Sequence, residues 1–178
     1  TMAAAPKGLH DTGPIRPNTW WSAATVKNTT ALAAEVVMTR RMVGSGDNPY
    51  EVVHPFGQVP KGTRFGNTSH VAVDSLARVY VYQRMDPPVL VFDGDGNLLT
   101  AWGSGLLVDA HGIYISPDDN VFLVDRDAHE VLKFDLEGRL LLRLGNREKP
   151  SLQAPFNHPA DVAVSPSGEI YVADGYGN

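Results

Sequence analysis

The chain has 178 residues, 15 Lys and Arg against 20 Asp and Glu, a formal net charge of −5, 43% hydrophobic and 20% charged residues. That is one domain's length, too apolar for a disordered tail and without the basic balance of a nucleic-acid binder. The complete lack of cysteine excludes disulfides, thiolate metal sites, iron–sulfur clusters and thiol nucleophiles, and no apolar run approaches the roughly 18 residues of a membrane span.

In chain order, Pro6, Gly8, Gly13, Pro14 and Pro17 mark a loop or arm. The first eight residues lack the basic start and apolar stretch of a signal peptide, so the compartment stays open. Residues 22–43 are rich in Ala, Val, Thr and Met and stop at Gly44-Ser45-Gly46. They suit a helix with a glycine stop, and the β-branched Val36-Val37 suits a strand equally. The first 48 residues are read as an N-terminal arm, and residues 49–178 as a repeat region.

Three segments of that region align: Val71–Tyr82, Ile113–Val124 and Val162–Ala173, offset by 42 and then 49 residues. The first two copies stay in register, with Val89–Asp93 matching Val131–Asp135 and Leu98–Gly103 matching Leu140–Gly145. Each holds four short strands separated by turns such as Asp-Gly, Pro-Asp-Asp-Asn and Glu-Gly. Four strands at a 40–50 residue period predict an all-β fold of β-propeller blades. Tyr50–Gly57 reads as an outer strand without a blade of its own, and the third copy stops after two strands. The expectation is the front half of a propeller that needs its own missing C-terminal half, or another chain, to close.

With the repeat in view, the segments HGIYISPDDNVFLVDRDAHEVLKFD (111–135) and FNHPADVAVSPSGEIYVADGYGN (156–178) resemble NHL-type propeller repeats. More narrowly they resemble the peptidyl-α-hydroxyglycine α-amidating lyases, the catalytic domain of peptidylglycine amidation enzymes, and their bacterial relatives. The resemblance covers residues 50–178. It implies a six-bladed propeller with zinc on its axis and a structural calcium, splitting a peptidyl-α-hydroxyglycine into a peptide amide and glyoxylate. On that resemblance His111, in Ala110-His111-Gly112-Ile113, corresponds to the first of three zinc histidines. Tyr176, in Asp174-Gly175-Tyr176-Gly177-Asn178, corresponds to the essential tyrosine, and Arg84 to the substrate-binding arginine. The main-chain carbonyls of Val71 and Ile113 fall where the family binds calcium. The disulfides of the vertebrate enzymes have no counterpart.

The residues themselves support part of this. Ser69, His111 and Ala160 share one repeat position, so the fold does not require histidine there, and a neutral imidazole suits zinc; a histidine filling a turn is the plainer reading. Arg84 recurs as Arg126, which fits a strand-end surface arginine, although a guanidinium fork also suits a substrate carboxylate. Tyr176 matches Met85 and Asp127, and it reads as either a rim phenol or a loop aromatic.

Other signals are discounted. Asp93-Gly94-Asp95-Gly96-Asn97 begins like a calcium loop but has Leu98 and Ser104 where an EF-hand needs Gly and Glu. Asp125 and Asp174 recur with Gln83, which favours a structural role over paired-carboxylate catalysis. His54, His70, His129 and His158 lack ligand spacing and are expected at the surface or in turns. Trp20, Trp21 and Trp102 are expected to pack, and Asn28-Thr29-Thr30 and Asn67-Thr68-Ser69 match the glycosylation pattern. The expected function is a zinc-dependent lyase acting on a small-molecule or peptide substrate, with no nucleic-acid or membrane partner. The alternatives are an NHL propeller that binds protein or peptide, and a calcium-dependent propeller hydrolase of the gluconolactonase type.

Overall fold

The computed structural model describes residues 39–150 and 155–176. Every regular element among them is a β-strand. The chain divides into two compact units at Phe56/Gly57.

The described part of the first unit is a hairpin. Strand β1 (Thr39–Ser45) pairs antiparallel with β2 (Asn48–His54), and Ser45 sits opposite Asn48 across the turn. Gly44 and Gly46 both adopt positive φ there, which glycine does without a Cβ clash. The segment expected to be a lone outer strand therefore has a partner that sequence patterning did not show. Thr39-Arg40-Arg41-Met42 lacks the alternation of the blades, and the helix-or-strand question is answered as strand from Thr39 onward. The rest of residues 22–43, with Trp20 and Trp21 and the arm before them, lies outside the described residues.

The second unit holds the repeats. β3 (Thr68–Val73), β4 (Val79–Gln83), β5 (Val89–Phe92) and β6 (Leu98–Trp102) form one antiparallel sheet in sequence order. β7 (Ala110–Ile115), β8 (Val121–Asp125), β9 (Glu130–Phe134) and β10 (Leu140–Gly145) form the next. β11 (Pro159–Val164) and β12 (Ile170–Asp174) form a two-stranded third sheet. The first strands neighbour one another, β3 beside β7 and β7 beside β11. These sheets are propeller blades with their innermost strands gathered on one side.

The middle strands read as continuous apolar runs because both of their faces are covered. Val121 and Leu123 pack toward the first blade, in a core with Tyr80, Tyr82, Val89 and Val91. Their alternates Phe122 and Val124 pack toward the third blade with Val162, Ile170 and Val172. The period of two along β8 thus serves two interfaces instead of one buried and one wet face. Trp102 packs on Phe134 at 5.1 Å between ring centres, as expected of a packing residue. Asp93 caps its own turn, accepting from the backbone of Asp95 and Asn97, so it closes a hairpin.

His129 lies in the β8–β9 turn, one of the two places expected for it, and is buried there, only 5% exposed. Its Nδ1 accepts the backbone N–H of His158 at 3.1 Å, and the two rings meet edge to face at 4.2 Å. Both residues sit at positive φ, a conformation that spacing in the sequence does not reveal. This joint ties the β8–β9 turn of the second blade to the loop leading into the third. Burial, then His158, hold the His129 imidazole below its ordinary value, against upward pulls from Asp127, Asp174 and Asp125. Only a neutral ring can accept at Nδ1. The unfolded chain binds this proton better than the folded one, so the stabilisation is complete above about pH 6.5 and is lost as pH falls through the lower native value. We expect the thermal midpoint to drop more between pH 7.5 and pH 5 in the wild type than in His129→Gln, followed by circular dichroism. Equal drops would show that the joint does not titrate.

Candidate functional site

Each innermost strand opens with a break in register at the same place: between Thr68 and His70, between Ala110 and Ile113, and between Pro159 and Asp161. A bulge takes a residue out of the ladder and re-aims its side chain. The residues released are Ser69, His111 with Gly112, and Ala160. All but Gly112 line one cavity of about 310 Å³, completed by Asn67, Thr68, His70, Arg84 and Asp161.

A repeated device holds these strand starts in place. The last residue of each second strand accepts backbone N–H groups from the loop before the first strand. Gln83 Oε1 accepts from Gly66 at 2.7 Å. Asp125 accepts from Val108 and Asp109, each at 2.8 Å. Asp174 accepts from Asn157 with both oxygens, at 2.8 and 2.9 Å. This is the structural role that the recurrence of Asp125 and Asp174 predicted.

Arg84, His111 and Tyr176 come from three different blades and gather at this end. His111 Nδ1 lies 2.8 Å from the carbonyl oxygen of Ala160. A carbonyl can only accept, so Nδ1 carries a proton, and in the neutral ring it is Nε2 that has the lone pair. The His111 ring lies 5.2 Å from the Tyr176 ring, tilted by 60°. Tyr176 is 63% exposed, and the Arg126 guanidinium sits 5.7 Å from its ring centre. Arg84 Nε donates to the Ala110 carbonyl at 3.2 Å and lies 3.0 Å from Asp109 Oδ1. Val71 and Ile113 sit in adjacent innermost strands, paired with Val81 and Leu123.

Gly112 permits the close approach of β7 and β11. A Cβ there would sit 2.8 Å from the Ala160 carbonyl oxygen and 3.2 Å from the Asp161 Cα, and both are backbone atoms that move only with the strand. Gly112→Ala should push the strands apart, cost about 1–3 kcal/mol as overpacking does, and break the His111–Ala160 contact. Urea unfolding and the His111 ring resonances check both effects; an unchanged midpoint would mean the strands can yield there.

Sequence reasoning missed three participants. Asp109 lies against both Arg84 and Arg126, at 3.0 and 3.1 Å. Asp161 and His70 line the cavity. A signal for Asp109 existed: Asn67, Asp109 and His158 occupy one repeat position with three different chemistries, as Ser69, His111 and Ala160 do. Arg126 is not a plain surface arginine either, since it pairs with both Asp109 and Asp127.

Stacked four-stranded antiparallel blades define a β-propeller, and the sequence model of the NHL repeat matches residues 156–178, so the third blade carries an NHL repeat. Among its relatives, NHL repeat-containing protein 3 of Mus musculus is 38% identical over 134 residues, covering 66% of this chain and 38% of that protein. Peptidyl-alpha-hydroxyglycine alpha-amidating lyase 1 of Drosophila melanogaster is 37% identical over 86 residues, 47% of this chain and 16% of that one. The peptidylglycine alpha-amidating monooxygenase of Rattus norvegicus is 38% identical over 117 residues, 59% of this chain and 12% of the relative. The chain therefore spans well under half the length of the curated relatives it matches. Virginiamycin B lyase from Staphylococcus aureus shares the fold at a TM-score of 0.51 and 18% identity, over 66% of this chain and 37% of that one.

Among the described residues no helix is long and apolar enough to cross a membrane.

Proposed function

We propose that the protein is a lyase that cleaves the C–N bond of a peptidyl-α-hydroxyglycine, giving a peptide amide and glyoxylate. The observation that carries this is the gathering of Arg84, His111 and Tyr176, from three blades, around one end of the fold. Relatives that bear the amidating-lyase name support it.

Zinc fits His111 as a single ligand, because the tautomer set by the Ala160 carbonyl leaves Nε2 free to coordinate. Among the described residues there is no group of three His, Cys, Asp or Glu side chains that could hold a metal, so further ligands belong to other residues. Bound zinc would supply Lewis acidity toward the substrate's oxygen. A structural calcium would take the Val71 and Ile113 carbonyls.

Arg84 would bind the carboxylate of the glycine unit and fix the reacting bond. Tyr176, as its phenolate, would accept the hydroxyl proton as the carbinol C–N bond breaks. The C–O bond becomes the aldehyde of glyoxylate, and the departing nitrogen takes up a proton to complete the amide. The full-length protein should release glyoxylate from a benzoyl-α-hydroxyglycine in a zinc-dependent manner, and Arg84→Ala should raise the Michaelis constant by 10-fold or more, since a bond to a charged group is worth roughly 1.5–3 kcal/mol. No glyoxylate from the zinc-loaded wild type would reject the lyase reading. The NHL-repeat proteins among the relatives favour a second reading in that event, a propeller that binds protein or peptide without catalysis.

A further inference from the structure

We propose that Asp109 is a positioning residue for the anion-binding group of this site: it anchors Arg84 by its inner nitrogen so that the guanidinium fork is presented to the cavity as a carboxylate receptor. The inference rests on the lyase reading only for the identity of the ligand.

The geometry is specific to the inner edge of the guanidinium. Asp109 Oδ1 lies 3.0 Å from Arg84 Nε as an ion pair, while the single Nε–H donates to the Ala110 carbonyl at 3.2 Å. Nη1 and Nη2 make no hydrogen bond among the described residues, and Arg84 lines the cavity with its side chain 38% exposed. A carboxylate competing with substrate would be expected on the two terminal nitrogens, where bidentate pairing is strongest. Asp109 instead takes the position that leaves them available.

Asp109 is itself held rigidly. Its backbone N–H donates to the buried Asp125, its carbonyl accepts from the Arg126 N–H at 3.0 Å, and its side chain is only 14% exposed. Its Oδ2 is buried and lies 3.1 Å from Arg126 Nη2 without a hydrogen bond of good geometry. The carboxylate as a whole lies between two arginines, one from each of two blades, with Oδ1 toward Arg84 and Oδ2 toward Arg126. Arg126 in turn lies over Tyr176. One carboxylate thus sets the placement of the cation facing the cavity and of the cation under the phenol ring. A group held in place before the ligand arrives loses less freedom on binding.

The test measures binding without turnover. Benzoylglycine carries the carboxylate but no α-hydroxyl, and benzoylglycinamide carries neither, so calorimetry on the full-length protein reads carboxylate recognition alone. The wild type should prefer the acid, and Asp109→Asn should weaken acid binding roughly 10- to 100-fold, the range for a bond to a charged group or a 1 Å misplacement. Amide binding and the thermal midpoint should change little. If Asp109→Asn binds the acid as well as the wild type or better, Asp109 is a bystander or a competitor and the proposal is overturned. If the wild type does not distinguish acid from amide, the Arg84 receptor falls and this proposal falls with it, whereas glyoxylate release tests the lyase reading separately. Should Asp109→Asn fail to fold, Asp109→Glu decides: it keeps the charge but moves it outward by one methylene, so it should lose part of the acid preference, and full preference overturns the proposal.

Discussion

Tyr176→Phe in the full-length protein should lower turnover of a peptidyl-α-hydroxyglycine by roughly 10²–10⁴, the contribution of a positioned acid or base. The substitution removes one oxygen and keeps the ring. The contacts of that ring, with His111 at 5.2 Å and Arg126 at 5.7 Å, are available to phenylalanine as well. At 63% exposure the phenol contributes little packing, so the thermal midpoint should hold. Substrate affinity should change much less than turnover, because Arg84 would hold the carboxylate in both proteins. This pattern separates a group needed only in the transition state from one that binds substrate uniformly. Glyoxylate release across a pH series, with Tyr176→Phe and Arg84→Ala beside the wild type, gives the split. Full activity in Tyr176→Phe would remove the tyrosine from the mechanism, and a loss matched by a lower thermal midpoint would reassign it to structure.

The blades were legible because their physics is local. Alternating apolar residues and turn chemistry at fixed spacing recur in each copy, and the segments Val79–Tyr82, Val89–Asp93, Val121–Val124 and Val131–Asp135 read as strands match β4, β5, β8 and β9 to within one residue at each end. β1 was not legible, since Thr39–Ser45 is strand only through its pairing with β2. Within the site, the resemblance to the amidating lyases pointed to Arg84, His111 and Tyr176. Motif spacing could not show Asp109, because that residue's meaning comes from arginines in two blades, or His129, whose partner is a backbone N–H 29 residues away. Contacts between blades leave no period in the sequence. They show only as positions where one copy departs from the others, and Asp109 is such a position.

Asp125→Ala should destabilise the fold by about 3–5 kcal/mol, the cost of removing one partner from a buried charged cluster. Asp125 is fully buried, accepts from Val108, Asp109 and Ala128, and lies 4.0 Å from Arg147. Burial raises its carboxyl above the usual range, while the backbone donors, with Arg147 behind them, pull it down; the charged form is the one those donors require. Alanine would leave buried N–H groups without acceptors, each costing about 1–3 kcal/mol. The equivalent Gln83→Ala should cost less, because Gln83 accepts from Gly66 alone among backbone donors. For a chain of this length 3–5 kcal/mol corresponds to a fall of roughly 6–20 °C in the midpoint. The effect should also reach the site: with Val108 and Asp109 released, the carboxylate that anchors Arg84 loses its fixed position, and carboxylate binding should weaken even in the fraction that remains folded. Thermal unfolding and benzoylglycine calorimetry on the same variant test both parts. A midpoint within 2 °C of the wild type would mean that water or a shifted loop satisfies those donors, and the recurring Gln83, Asp125 and Asp174 device would not be what holds the strand starts against the cavity.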